Sequence, residues 1–193
     1  EYLLNTNKML TELSLNILDV ANNSIRAGAD LVIIEVGIHK TEDSLTIKIV
    51  DNGHGMTKEQ LSQVEDPFFT TRTTRDVGLG IPFLKQAAEI TGGTFSIEST
   101  PDEKTTVYAT FCLSHIDRMP LGDICSTIYS LVLANQELDF LYVFQCDHKG
   151  YQLDTRNLRD ILGDISFDTP EVAEFIRDYL YENYNETTDG YNF

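Results

Sequence analysis

A two-layer α/β sandwich with a small α+β C-terminal region is the fold class this sequence predicts. Three observations lead there. Apolar residues at spacings of three and four near the start mark an amphipathic helix. Apolar residues alternating at period two mark strands behind it. Glycine pairs separate these runs and bound further helices. The order helix, strands, helix, helix, strands packs as one helical layer on one sheet.

Each element follows from its local pattern. Leu10, Leu13, Ile17, Ala21 and Ile25 form one stripe, which predicts a helix over about 7–27 that stops at Gly28. Residues 31–38 read as a buried strand. Leu45, Ile47 and Ile49 alternate with Thr46 and Lys48 in a half-buried strand that ends at Asp51. The turn Asn52-Gly53-His54-Gly55 leads to a short helix with Thr57 as its N-cap. After Pro67-Phe68-Phe69 comes a polar stretch rich in Thr and Arg. Gly78-Leu79-Gly80 then opens a helix that accepts Pro82 in its first turn and ends at Gly92-Gly93. Strands over 95–99 and 106–113 flank a Pro101-Asp102 turn. The remainder reads as a helix over 121–134, a strand over 140–145, a turn at 148–150, a short strand over 151–154 and helices near 157–162 and 170–184. The polar, Tyr-rich residues 185–193 read as frayed. These elements divide the chain into 1–114, a linker over 115–120, and an acidic region over 121–193.

Composition narrows the function. The 193 residues hold 31 Asp and Glu against 14 Lys and Arg, a net charge of −17. Such a chain is repelled by nucleic-acid backbones and by anionic membranes, so neither is an expected partner. No apolar run approaches the roughly 18 residues that span a bilayer. No basic flank followed by an apolar stretch opens the sequence. Cys112, Cys125 and Cys146 form no CxxC pair, which implies a cytoplasmic compartment and no zinc or disulfide framework.

Three places can carry chemistry. Asp19 and Asn23 lie four apart, so they share one helix face, opposite the apolar stripe; solvent exposure alone explains them equally well. Asp51 ends an apolar strand just before Gly53 and Gly55, which places a carboxylate beside backbone that a ligand can approach; a plain Asp-Asn-Gly turn is the alternative. Gly78-Leu79-Gly80 opens a helix, where free N–H groups and the positive dipole end suit phosphate. The Walker pattern GxxxxGK[ST] is absent and neither glycine pair completes GxGxxG.

In this order, Asp19-x-x-x-Asn23, Asp51-Asn-Gly53-x-Gly55, Pro67-Phe-Phe-Thr-Thr-Arg72, Gly78-Leu-Gly80 and Gly92-Gly93 resemble the ATP-binding domain of the GHKL superfamily. That superfamily gathers gyrase, heat-shock chaperone, histidine kinase and mismatch-repair ATPases, and the resemblance covers about residues 7–113. Its closest flavour is the catalytic domain of two-component histidine kinases. The segment from Asn22 to Ala29 is more similar to a mismatch-repair ATPase. The resemblance implies a Bergerat-type fold, with a mixed sheet and helices on one face, and it implies ATP and Mg²⁺ as cofactors. Asn23 would hold Mg²⁺, and Asp51 would accept from the adenine amino group. Gly53 and Gly55 would keep the adenine pocket open, Met56 would line it, Thr106 stands where the family often places a threonine near the adenine-bound water, and Phe68 of the F-box-like segment would join the ATP site. Gly78, Leu79 and Gly80 would close over the phosphates under a lid at 70–77, with Arg72, Arg75 and Lys85 nearby. Asp19 stands where hydrolysing members carry Glu, as the base that orients water. Asp is one methylene shorter, and a misplacement of about 1 Å can cost on the order of a hundredfold in rate.

A histidine autokinase also needs a phospho-accepting His on a helical hairpin before the ATP domain, and here only one helix precedes the first strand. His115-Ile-Asp-Arg-Met-Pro120-Leu121 echoes that motif, but it falls in the linker and lacks an acid directly after His115. Two expectations result. One is a stand-alone phosphotransfer (kinase) subunit or slow ATPase in signalling, acting on an unidentified protein partner or phospho-acceptor. The other is a nucleotide-gated interaction module whose ATP lid controls partner binding. Either leaves room for a homodimer.

Overall fold

Among the described residues, period-two alternation produces six strands that share one buried face. The computed structural model describes residues 12–64 and 80–193. Its strands are β1 (Leu31–His39), β2 (Ser44–Asp51), β3 (Phe95–Thr100), β4 (Lys104–Cys112), β5 (Asp139–Cys146) and β6 (Lys149–Asp154). They form one sheet in the order β3-β4-β2-β1-β5-β6. Only the β1–β5 pairing is parallel; the other four are antiparallel, so the sheet is mixed. Register aligns the apolar positions across it. Ile34 pairs with Ile49 and with Tyr142, and Ile49 pairs with Val107. All four are buried.

The helices are α1 (Leu13–Arg26), α2 (Lys58–Val64), α3 (Gly80–Ile90), α4 (Ile124–Ala134), α5 (Thr155–Leu162) and α6 (Pro170–Thr188). α1 touches α3 on one side and α4 on the other, and α4 touches α6, so these four make a layer over the sheet. Leu13, Ile17 and Ala21 from the α1 stripe are fully buried, and Ile25 packs partly buried against the same core; Leu10 lies outside the described residues. Thr57 caps α2 as expected. Its hydroxyl accepts from the Gln60 N–H at 3.3 Å while Gln60 Oε1 accepts from the Thr57 N–H at 2.8 Å, a reciprocal capping box.

The C-terminal region continues the sheet rather than standing beside it. β5 docks along β1, and β6 completes the edge. The 115–120 segment is tied at both ends. Asp43 accepts from the Ser114 N–H and hydroxyl, and the Leu13 and Ser14 N–H groups donate to the carbonyls of Pro120 and Leu121. The last residues differ from the frayed end read above. α6 runs on to Thr188, Thr187 and Thr188 are buried, and the Phe193 carbonyl accepts from the Leu121 N–H. The inner face of this last turn is built of Thr and Tyr, and the Thr188 hydroxyl bonds locally, donating to the Tyr184 carbonyl at 2.9 Å. An apolar stripe is therefore absent from the sequence although the turn packs. The turn between β5 and β6 sits at Asp147-His148, with Asp147 left-handed at φ 53°, so Lys149 and Gly150 belong to β6.

Candidate functional site

The site is assembled from the flank of α1, the end of β2, the turn after it and the start of α3. α1 buries one face, and Asp19 and Asn23 lie half-buried on its flank, one turn apart. Ser24, next to Asn23, is 3% exposed and aims at the sheet. Its hydroxyl donates to Asp51 Oδ2 at 2.6 Å, while the Gly53 N–H donates to Asp51 Oδ1 at 3.0 Å. Asp51, 6% exposed, is thus an oriented carboxylate at the end of β2. Two donors leave it lone pairs for a third.

The turn after Asp51 is clamped from two sides. The His54 N–H donates to the Ala27 carbonyl at 2.9 Å, and the His54 carbonyl accepts from the Asp102 N–H at 2.8 Å. Asn52 faces the other way, its side-chain oxygen accepting from the Asp30 and Leu31 N–H groups at the head of β1. Gly55 has φ +63° and runs so close to the Thr100 carbonyl that a Cβ there would collide with backbone. Met56, partly buried against the core, is fixed by its N–H donating to Ser99 Oγ at 2.8 Å.

Register decides which β4 threonine joins this wall. Thr105 pairs with Asp51 and Thr106 with Val50. Neighbours along a strand point to opposite faces, so Thr106 sits on the face away from Asp51. The expectation for Thr106 is corrected: the threonine on the carboxylate's face is Thr105, buried, with Oγ1 at 2.9 Å from Ser99 Oγ.

α3 closes the other end. Gly80, its first residue, is buried against α1, and a Cβ there would stand 2.6 Å from Asp19 Cβ. The absence of a side chain lets the positive end of the α3 dipole sit over the Asp19 turn. Burial pushes the Asp19 carboxyl above its ordinary range, with Arg26 partly opposing. Arg26 Nη1 also donates to Asn23 Oδ1 at 3.3 Å. The structure therefore brings Asp51 and Gly53 to the C-terminal end of α1, beside Ser24, Asn23 and Ala27, sets Gly55 and Met56 against Thr100 and Ser99 at the end of β3, and packs Gly80 on Asp19. Phe68, Gly78, Leu79, Arg72, Arg75 and the 70–77 lid lie outside the described residues. Lys85 is carried on α3.

Sequence reasoning missed Ser24, Ser99 and Thr105. For Ser24 a signal existed, because a serine four residues after Val20 and three after Ala21 falls on the buried stripe of α1. The other two depend on pairing between distant strands.

This fold, with residues 7–115 matching the model of the histidine kinase-, DNA gyrase B-, and HSP90-like ATPase family, makes the chain a member of that family. Its curated relatives include proteins named as kinases and as sensor proteins. It is 32% identical over 111 residues to the Non-motile and phage-resistance protein of Caulobacter vibrioides, covering 53% of this chain and 13% of that protein. It is 31% identical over 98 residues to Sporulation kinase D of Bacillus subtilis, covering 51% and 19%. Sensor histidine kinase ZraS of Klebsiella oxytoca is 31% identical over 86 residues, covering 44% and 18%. The chain spans less than a fifth of the length of these relatives. Among solved structures, the N-terminal domain of a DNA repair protein superposes with a TM-score of 0.55 at 15% identity, over 93% of this chain and 57% of that one. That likeness is one of fold, and it takes in the C-terminal strands as well.

Proposed function

We propose that the chain binds Mg-ATP between α1, the end of β2 and α3, and transfers its γ-phosphoryl group to a protein acceptor in signalling. The observation that carries this reading is the Ser24–Asp51–Gly53 arrangement, a buried carboxylate held by two donors beside a glycine turn. An exocyclic amino group is the donor such a carboxylate accepts from, which favours adenine over guanine, whose corresponding position is a carbonyl.

The donor set suits Mg²⁺. The Asn23 amide oxygen is a hard ligand on the same flank as the Asp19 carboxylate, and Arg26, which donates to that oxygen, would swing away when the metal binds. When bound, the metal would neutralise phosphate charge. Asn23 would hold it, and Asp19 would orient the attacking hydroxyl or water. The Gly80 end of α3 would meet the phosphates with free N–H groups.

Transfer of label from γ-labelled ATP in cell extract tests the reading: a labelled partner that disappears with Asn23→Ala is expected. A second reading, nucleotide-gated partner binding with little turnover, draws on one observation. The first turn of α1 is hydrogen-bonded to Pro120 and Leu121, so the helix bearing Asp19 and Asn23 also anchors the C-terminal region. Tight ATP binding with no labelled protein would favour it.

A further inference from the structure

We propose that the sheet face turned away from the helical layer is the surface through which two copies of this chain associate. The layer of α1, α3, α4 and α6 lies on the opposite face, with the buried strand residues. On the outward face Val50, Ile33 and Leu141 stand side by side in one row across β2, β1 and β5. The next row holds Tyr108, Lys48, Glu35 and Val143. The five apolar members are half-buried, and none belongs to the core or to the side chains packed against it. Among the described residues, an apolar strip in the middle of a six-stranded sheet is therefore left without a covering layer.

Charge selects the occupant. The chain carries −17 in all, so two copies repel each other over most approaches. The outward face is different. Glu35 and Glu98 are matched there by Lys48 and Lys104, and Asp139 and Asp154 are each ion-paired to an arginine of α5, so its strand charges sum to zero. A strongly basic partner is drawn to the acidic remainder of the chain instead, and an acidic one meets as many carboxylates as cations. At the centre, Lys48 Nζ donates to both Glu35 carboxylate oxygens at 3.3 Å, with the two side chains 40% and 42% exposed. Each is thus free to meet an opposite charge from above.

The sheet order makes this face complementary to itself. Three strands lie on either side of the β1–β2 boundary. A two-fold axis along that boundary, midway between two facing sheets, sets β1 over the second copy's β2 and β5 over its β4. The register then brings Lys48 over the second copy's Glu35, Ile33 over its Val50 and Val143 over its Tyr108. Twisted sheets pack face to face in this aligned way. The area is sufficient. The four central strands have eight or nine residues and the two outer ones six. At about 3.3 Å per residue and about 4.8 Å between strands, the face measures roughly 700 Å². Two such faces bury roughly 1,400 Å², within the class of specific interfaces.

Sedimentation equilibrium of the full chain tests this, with a dimer expected for the parent. Lys48→Glu and Glu35→Lys each set like charges opposite one another, and each alone is expected to weaken association at least about tenfold. Mixed in equal amounts, the two variants are expected to regain the parent's affinity, because every acid then faces a cation of the other copy. A pair that acts only within one chain gives no such rescue. Val143→Lys is expected to be monomeric and to be rescued by neither variant. Mg-ATP binding, measured in parallel, is expected to stay unchanged in all three, so failure here is distinct from failure at the nucleotide site. A monomeric parent, charge variants that associate as the parent does, or weakened variants with no recovery on mixing would each overturn the proposal.

Discussion

Replacement of Asp51 by Asn tests the nucleotide site at its least replaceable atom pair. Asn can still accept from the Gly53 N–H, and Ser24 can rotate its hydroxyl to accept from the new amide, so the fold survives. The loss of a charge-assisted bond at 2.6 Å costs about 1–2 kcal/mol in the unliganded protein. Binding changes more. For the parent, Mg-ATP at about 100 times its dissociation constant adds roughly 2.7 kcal/mol. At about 2–4 °C per kcal/mol for a chain of this size, that raises the melting temperature by roughly 5–11 °C. If the variant binds about a hundredfold more weakly, the same ATP concentration only equals its dissociation constant. The gain falls to roughly 0.4 kcal/mol, or about 1–2 °C. Differential scanning fluorimetry with and without Mg-ATP, with GTP as control, reads this directly. A folded Asp51→Asn protein whose ATP shift matches that of the parent would refute the assignment of Asp51 to adenine.

Further outcomes follow from the same geometry. Thr105→Val should diminish the ATP-induced shift while Thr106→Val leaves it intact, because only Thr105 shares a face with Asp51; the reverse result would mean the site uses the other face of the sheet. Ser24→Ala removes a buried donor to a carboxylate and should lower stability by about 2 kcal/mol, or about 4–8 °C, with ATP affinity also reduced. Asp19 holds its proton more tightly in the fold than in the unfolded chain, so its contribution to stability is complete below the ordinary value of 3.8 and is lost as pH rises through the raised folded value. Asp19→Asn should therefore melt no lower than the parent at pH 7 without Mg²⁺, yet lose most phosphate release or transfer; a marked drop in melting temperature would contradict this. Gly80→Ala forces a methyl against Asp19 Cβ and should cost about 1–3 kcal/mol, visible as a lower urea midpoint with unchanged slope.

The sequence by itself determined whatever depends on neighbours along the chain. The α1 stripe, the glycine turn after Asp51, the Thr57 cap and the glycine at the head of α3 are local patterns, and each lies where its spacing implied. The motif order was enough to resemble the family that residues 7–115 match. Tertiary structure alone decided what depends on distant pairing. A shift of one residue in the β2–β4 register exchanges Thr105 for Thr106 beside Asp51, and no local signal distinguishes them. The docking of β5 along β1, which turns a C-terminal region into part of the same sheet, rests on hydrogen bonds between residues about a hundred positions apart. The end of α6 was hidden for a related reason. Its buried threonines belong to a helix that packs on α4, β5 and β6, elements distant from it in the chain.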